Sequence, residues 1–311
     1  MEFHHIPVLA QQCVRALDIK PAGVYVDGTT GGAGHSRLIA GCLGPDGRLI
    51  CIDRDEDALA AARQRLHGFG CRIDFAKSNF KDMDAVFASL GVTAVDGILL
   101  DLGVSSHQLD TPERGFSYQN DAPLDMRMDR GQALTARDVV NTYALDELKR
   151  IIGAYGEERY AGRIASAIVA RRQQRSIERT GELADIIRAA MPPAARREKQ
   201  HPAKRTFQAI RIEVNGELSA VEVALDRAVA CLKGGGRLAV ITFHSLEDRI
   251  VKQTFARLAQ GCICPKEAPV CICGHKPTVR LIDKGGVTAD AKEIEQNPRA
   301  RSARLRTAEK L

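Results

Sequence analysis

Short apolar runs that end in an acidic residue recur in the first third of the chain, over residues 24–27, 49–53 and 97–101. Continuous apolar runs of this length are typical of strands that are buried on both faces of a parallel sheet. Helical patterns over 36–43 and 56–66 follow the first two runs. This part of the chain therefore predicts strands and helices that alternate around a parallel sheet.

The pattern changes to helical periodicity between about residues 108 and 203, where no strand pattern is found. Helices are predicted over 144–155, 157–174 and 180–191, and prolines interrupt the region at positions 112, 123, 192 and 193. We therefore predict an inserted helical domain, 108–203, between the two parts of a discontinuous domain, 1–107 and 204–311.

Alternation of helix and strand resumes after the insertion. A long amphipathic helix is predicted over 206–232 and a strand over 237–243, and residues 302–307 alternate as in an edge strand. The predicted fold class is α/β, with a Rossmann-like sheet and an inserted all-helical domain. Such sheets bind ligands at the carboxyl ends of their strands, so we expect a ligand crevice there.

Asp27, Asp53 and Asp101 each end a predicted strand, so three acidic residues should border this crevice. The loop after Phe243, which follows the last parallel strand, should border it as well. The glycine-rich segment 28–34 follows the first strand and opens a helix. Glycines at such a turn let the backbone approach a ligand more closely than a Cβ atom would permit. The arrangement indicates a nucleotide-like ligand.

The acidic residue after the second strand adds to this interpretation. Asp53 is placed to accept hydrogen bonds from both hydroxyls of a ribose, although capping of the following helix is an alternative role. A dinucleotide-binding loop would carry a third glycine where Arg37 follows Gly32-x-Gly34. An oxidoreductase of the NAD type is therefore disfavoured and kept as an alternative.

Composition and charge describe an ordinary globular protein. Its 311 residues are 44% hydrophobic and 27% charged, with a mean hydropathy of −0.19, and are enough for about two domains. Apolar stretches are far shorter than the ~20 residues of a membrane span, and the start resembles no secretion signal. Nine mostly scattered cysteines favour a reducing cytoplasm. The net charge of +6 permits an anionic partner.

Longer motifs extend over nearly the whole chain. They are HIPVL (5–9), YVDGT (25–29), GHS (34–36), IDRD (52–55), DGILLDLGVSS (96–106), RGFS (114–117), PLDMRM (123–128), YGEER (155–159), TFQAIR (206–211), FHSLEDR (243–249) and NPRARS (297–302). Together they closely resemble the class I S-adenosylmethionine-dependent family that methylates the exocyclic N4 of a decoding-centre cytidine in bacterial 16S ribosomal RNA. This resemblance implies the fold, the methyl donor and the substrate.

The resemblance also implies which residues contact S-adenosylmethionine. They are Ala33, Gly34, His35, Asp53, Phe80, Asp101 and Gln108. A helix N-terminus after the glycine turn suits the methionine carboxylate, and the Phe80 ring suits the adenine face. On the residues alone, Phe80 could equally be core, and His35 could equally be a capping or buried structural histidine.

The residues expected to act on the cytosine amine are Asp101, Ser105 and His244. Acceptors near the two amine hydrogens favour a reactive geometry and take the released proton. Asp101 and the following loop lie where amino methyltransferases place such acceptors, but the aromatic continuation of many of those enzymes is absent. For His244, hydrogen bonds that stabilise its loop are the alternative role.

The expected partner is 16S ribosomal RNA within a small ribosomal subunit, with no membrane, and a homodimer is allowed for. Residues 194–211 carry a local charge of +5, which suits phosphate contact or, alternatively, a solvated surface. Arg299 and Arg301 are further candidates for RNA contact. We expect the inserted domain to help to hold the RNA.

A cluster of cysteines lies near the carboxyl end of the chain. Cys262, Cys264, Cys271 and Cys273, with His275 nearby, could bind a structural zinc ion or remain unligated thiols. No catalytic metal is assigned. A zinc-stapled, non-enzymatic RNA-binding or ribosome-assembly factor is therefore a second alternative function.

Overall fold

The computed structural model describes residues 7–198, 200–264, 270 and 272–311. The described residues form two compact units. The first contains the chain up to Gly103 and from Leu218 onward, and the second contains Val104 to Glu217.

All described strands belong to one mixed sheet in the first unit. In chain order they are β1 (Val24–Asp27), β2 (Arg48–Asp53), β3 (Arg72–Lys77), β4 (Val95–Asp101), β5 (Leu232–Thr242), β6 (Val279–Leu281), β7 (Val287–Thr288) and β8 (Arg304–Lys310). The strand order is β3-β2-β1-β4-β5-β8-β6, and β7 also pairs with β8. β1 to β5 pair in parallel, whereas β8 is antiparallel to its neighbours. The predicted α/β class with a Rossmann-like sheet is confirmed.

The described helices include most of those predicted. In chain order they are α1 (Ala10–Leu17), α2 (Gly34–Cys42), α3 (Glu56–Arg65), α4 (Met83–Ser89), α5 (Ser106–Asp110), α6 (Ala136–Thr142), α7 (Leu145–Gly156), α8 (Ala161–Gln174), α9 (Thr180–Ala190), α10 (Pro193–Arg196), α11 (Lys204–Asn215), α12 (Glu217–Cys231), α13 (Ser245–Leu258) and α14 (Ala291–Gln296). None of the helices in the described parts of the chain has the length and apolar character of a membrane span.

The sheet is buried on both faces, as its continuous apolar strands predict. Alternate residues of the central strands enter different clusters: Val26 and Ile98 belong to one, and Tyr25 and Leu99 to the other. The chain order reverses between β1 and β4, which are neighbours in the sheet. Such a switch point opens a crevice at the carboxyl ends of the strands.

Two sequence-based predictions of elements are wrong. The helix predicted over 206–232 is two helices, α11 and α12, because Gly216 between them has φ +58°, a left-handed conformation that ends α11. β8 is no edge strand, since β5 pairs with one side of it and β6 and β7 with the other. Leu305 and Ala308 are buried in different apolar clusters, so alternation along β8 reports the faces of the sheet and not the strands beside it.

The second unit has its own apolar core, and its described residues contribute helices but no strand beyond an isolated bridge between Pro123 and Arg179. It is longer than the predicted insertion of 108–203. Phe207, Ile210 and Val214 of α11 are buried in its core, so the chain leaves this unit only after α11.

Candidate active site

The glycine-rich turn between β1 and α2 is tightly constrained. A Cβ atom on Gly28 would lie 2.6 Å from Leu100 Cδ2 and 3.3 Å from Phe80 Cβ, so a larger residue there would displace neighbouring side chains. Gly31 and Ala33 both have positive φ, of 47° and 60°. A left-handed alanine costs about 1–2 kcal/mol, a strain that often marks ligand sites.

The turn presents the start of α2 without a side-chain cap. Ala33 is the N-cap residue and has no side-chain oxygen that could accept from the first-turn N–H groups of α2. Uncapped N–H groups and the helix dipole favour an anionic ligand group. Of the predicted cofactor residues, Ala33, Gly34 and His35 all lie at this helix start.

Asp53 ends β2 and is tied to the same turn. Its Oδ2 accepts a hydrogen bond from the Gly31 N–H at 2.7 Å, and its Oδ1 accepts one from the Asp55 N–H at 2.9 Å. Burial raises the pKa of Asp53 to about 6, against the lowering effect of these hydrogen bonds. The alternative helix-capping role belongs to Asp55 instead, whose side chain accepts from the Asp57 N–H.

Asp27 does not border the crevice as predicted. It is only 1% exposed, accepts a hydrogen bond from Ser36 Oγ at 2.6 Å and another from the Thr29 N–H at 3.1 Å. Burial raises the pKa of this carboxyl group. Asp27 therefore stabilises the glycine turn, because a side chain at the end of a buried strand can point into the turn as well as toward solvent.

His35 joins the amino-terminal segment to the end of β4. Its Nε2 lies 2.9 Å from the Val8 carbonyl oxygen, and its Nδ1 lies 3.4 Å from Asp101 Oδ2. Carbonyl and carboxylate oxygens only accept hydrogen bonds, so this arrangement favours protons on both ring nitrogens. Burial opposes the charge, but contacts with Asp101 and Cys13 outweigh it and raise the pKa of His35 well above its usual range.

The two carboxylate oxygens of Asp101 differ in their surroundings. Its backbone N–H donates to Thr29 Oγ1 at 2.6 Å, and its Oδ2 faces His35. Its Oδ1 is buried and has no hydrogen-bond partner among the described residues. A buried acceptor without a donor is costly, which points to a donor supplied by a ligand.

Phe80 and His244 lie in the same unit as Asp101. Phe80 begins a short 3-10 helix, packs against one core cluster and stays partly exposed. His244 is the N-cap of α13, and its Nδ1 accepts from the Glu247 N–H at 3.4 Å. Its Nε2 lies 3.1 Å from Glu247 Oε1 without the alignment of a hydrogen bond. The structure thus gives His244 the stabilising role named as its alternative, and its catalytic role stays a prediction.

Ser105 and Gln108 belong to the second unit and bind each other. Ser105 is the N-cap of α5, and its Oγ accepts from the Gln108 N–H at 3.2 Å. Gln108 Oε1 accepts in return from the Ser105 N–H at 3.0 Å. The two residues thus form a capping box, and their catalytic and cofactor roles stay predictions.

The predicted basic surface 194–211 is less open than its sequence charge suggests. Arg196 donates to the Met191 and Ala189 carbonyl oxygens. Arg211 forms a two-pronged ion pair with Glu217 and is largely buried. Lys199 lies outside the described residues. Exposed cations of this segment include Arg197, Lys204 and Arg205, the last of which donates to the Glu157 carbonyl oxygen.

Sequence reasoning missed three residues that shape the site. Thr29 orients the Asp101 backbone, the Val8 carbonyl group holds His35, and buried Cys13 lies beside His35. The motifs contain Thr29 and Val8, but each contact involves a main-chain group, the Asp101 N–H or the Val8 carbonyl oxygen, which leaves no pattern in the side chains. Cys13 carries no signal, since a single cysteine in an amphipathic helix is indistinguishable from core.

Comparisons with known proteins identify the relatives of this chain. The model of the MraW methylase family matches residues 2–311. Ribosomal RNA small subunit methyltransferase H of Symbiobacterium thermophilum is 56% identical over 311 residues, all of this chain and 98% of that protein. The protein of the same name from Heliobacterium modesticaldum is 57% identical over the full length of both. An rRNA methylase structure from Streptococcus thermophilus covers 98% of this chain and 97% of its own at 10% identity and a TM-score of 0.44, too distant to carry an argument. The chain belongs to the MraW methylase family.

Proposed function

We propose that this chain transfers a methyl group from S-adenosylmethionine to the exocyclic N4 of a decoding-centre cytidine in 16S ribosomal RNA. The observation that carries the proposal is full-length similarity, above 50% identity, to proteins named ribosomal RNA small subunit methyltransferase H. The resemblance of the motifs to the cytosine-N4 family is the reason for proposing the N4 atom and the decoding-centre cytidine. A methylase family favours this chemistry over the nicotinamide alternative.

The glycine turn and its neighbours fit S-adenosylmethionine, the methyl donor. The start of α2 has no side-chain cap, so its N–H groups suit a carboxylate-bearing ligand. Asp53 has acceptor capacity beyond the two backbone bonds it makes and would hold the ribose hydroxyls. Phe80 would pack on the adenine face with its exposed side.

Asp101 is the proposed contact for the cytosine amine. Its Oδ1 is the buried acceptor described above, while His35 fixes the other oxygen and so the orientation of the carboxylate. Accepting an amine hydrogen turns the N4 lone pair away from the ring and toward the methyl group. His35 is in this account a positioning residue, which acts through Asp101.

The donor supplies an activated methyl group on a sulfonium, so alignment is the main requirement. The N4 lone pair forms the new bond to carbon as the carbon–sulfur bond breaks and its electrons stay on sulfur. The amine then loses one proton, which Asp101 accepts or passes to water. Ser105 and His244 are proposed to border the base.

Recognition of the RNA is assigned to exposed cations of the second unit. Arg197 and Lys204 are exposed and belong to the segment predicted to contact phosphate. Cations of this kind contribute affinity and salt dependence rather than sequence choice. A ribosomal substrate places the proposed reaction in the cytoplasm, and a homodimer remains a prediction.

The direct test is methyl transfer from labelled S-adenosylmethionine to small ribosomal subunits that lack modifications. We expect label in 16S ribosomal RNA with wild-type protein and a strong reduction with Asp101→Asn, which replaces one carboxylate oxygen by a donor. Asp46→Asn, a carboxylate exposed in the turn before β2, is the matched control. Stable RNA binding without any label transfer would instead support the non-enzymatic assembly factor.

A further inference from the structure

Three thiols converge in the loop between α13 and β6, a part of the first unit that the proposed methyl transfer does not use. The Sγ atoms of Cys262, Cys264 and Cys273 all lie within 4.8 Å of one another. Cys271, the fourth cysteine of this cluster in the sequence, lies outside the described residues. We propose that Cys262, Cys264 and Cys273 are ligands of a structural zinc ion.

The spacing of the sulfur atoms suits a tetrahedral zinc site. Zinc binds thiolate sulfur at about 2.3 Å, which places neighbouring sulfurs of a tetrahedron about 3.8 Å apart. The Cys262 and Cys273 sulfurs are separated by 3.8 Å. A disulfide would need a separation of about 2.0 Å, so these two cysteines are not bonded to each other.

Backbone amides are directed at all three sulfurs. The Ile263 and His275 N–H groups donate to Cys273 Sγ, at 3.4 and 3.5 Å. The Cys264 N–H donates to Cys262 Sγ at 3.4 Å, and the Ile272 N–H donates to Cys264 Sγ at 3.4 Å. A neutral thiol is a weak acceptor, whereas amide donors stabilise a thiolate and orient it toward a metal.

The described residues of this loop leave much apolar surface exposed. Three of its large apolar side chains are exposed: Ile263 by 55%, Val270 by 70% and Ile272 by 89%. Its two ends are joined where the Thr278 N–H donates to the Leu258 carbonyl oxygen at 2.8 Å. A metal that links the cysteines across this closed loop would supply the stability that burial of apolar surface does not.

The ligand set selects the class of metal. Thiolates prefer soft or borderline ions, and a closed tetrahedral set of sulfurs is typical of zinc or of iron–sulfur centres. Zinc is the assignment here because the loop is distant in sequence from the residues of the methyl-transfer site and the proposed reaction includes no electron transfer. The proposed zinc site is structural, so its test is independent of the test of methyl transfer.

The test is the metal content of the full-length chain, purified under reducing conditions without a histidine tag. Elemental analysis by mass spectrometry should find about one zinc per chain, released by a mercurial reagent that blocks thiols. Cobalt substituted for zinc should give the intense thiolate-to-cobalt absorption and tetrahedral bands of a sulfur-rich site. Cys262→Ser and Cys273→Ser should each lose most of the zinc, whereas Cys42→Ser, another exposed cysteine, should retain it.

The wild-type measurement alone can overturn the proposal, even if the serine variants do not fold. Absence of zinc both after purification and after reconstitution with zinc would contradict it. A mass lower by two hydrogens with no bound metal would instead show a disulfide, and iron with a visible charge-transfer spectrum would show a different centre. Retention of zinc by folded Cys262→Ser and Cys273→Ser would also refute the assigned ligands.

Discussion

The substitution Asp53→Ala tests whether the Asp53 carboxylate binds the ribose of S-adenosylmethionine. A carboxylate has roughly four acceptor positions, and the Gly31 and Asp55 N–H groups take one on each oxygen. One position on each oxygen is therefore available for a ribose hydroxyl. Loss of hydrogen bonds to a charged acceptor should weaken S-adenosylmethionine binding by about 1–3 kcal/mol, or roughly 5- to 150-fold.

The pH dependence of binding gives an independent measure of the same carboxylate. Its pKa of about 6 in the folded protein means that protonation begins well above the usual range of aspartate. Because the ionised form is the better acceptor, affinity should be full above pH 7, fall as the pH drops through 6, and be about tenfold weaker at pH 5. Asp53→Asn should remove this dependence.

Isothermal titration calorimetry between pH 5 and 8 measures both effects, with circular dichroism to confirm folding. Asp53→Asn removes a charge that burial disfavours but keeps only one of the two acceptor oxygens, so its folding is checked in the same way. Asp46→Ala, at the opposite end of β2, is the control and should bind as the wild type does. A folded Asp53→Ala protein with wild-type affinity and an unchanged pH profile would remove Asp53 from the cofactor site.

Three further predictions concern other parts of the chain. His244→Ala should lower kcat more than cofactor affinity, whereas His244→Asn keeps an N-cap acceptor, so full activity of that variant would leave only the capping role. Neutralising Arg197 and Lys204 should reduce the log-log salt slope of RNA binding by up to about two, and an unchanged slope would make them a solvated surface. In chemical denaturation Arg211→Ala should cost about 3–5 kcal/mol, because it leaves a buried carboxylate unpaired. Arg137→Ala, which breaks an exposed pair, should change stability little, and equal losses would contradict this argument.

The sequence predicted the parallel half of the sheet well because its strands are buried on both faces. Apolar runs, the acids that end them and the glycine turn are local signals, and they placed Asp53 and Asp101 at the carboxyl ends of their strands. The sequence does not reveal the break at Gly216, because apolar positions keep a helical period both before and after this residue. β8 was misplaced at an edge because alternation reports which residues face a core and not which strands lie alongside.

The site was less predictable where contacts depend on distant parts of the chain. Asp27 ends its strand as Asp53 and Asp101 end theirs, yet it is buried and accepts a hydrogen bond from the Ser36 hydroxyl. The pairing of His35 with Asp101 needs the register of β1 against β4, which neither segment encodes by itself. Long motifs pointed to these residues as a set, but only the fold separates a buried acceptor without a hydrogen-bond partner from one that is already paired.

The identity of the methylated atom tests the central proposal most directly. After reaction with unmodified small subunits, 16S ribosomal RNA is digested and its nucleosides are compared with standards of the isomeric methylcytidines by chromatography and mass spectrometry. Attack from cytosine C5 ordinarily requires a cysteine that adds to C6, and the loops 102–106 and 243–249 contain none. We predict N4-methylcytidine, formed by wild-type protein and strongly reduced with Asp101→Asn. Finding 5-methylcytidine as the sole product would contradict the mechanism, even with the fold and the methyl donor as described.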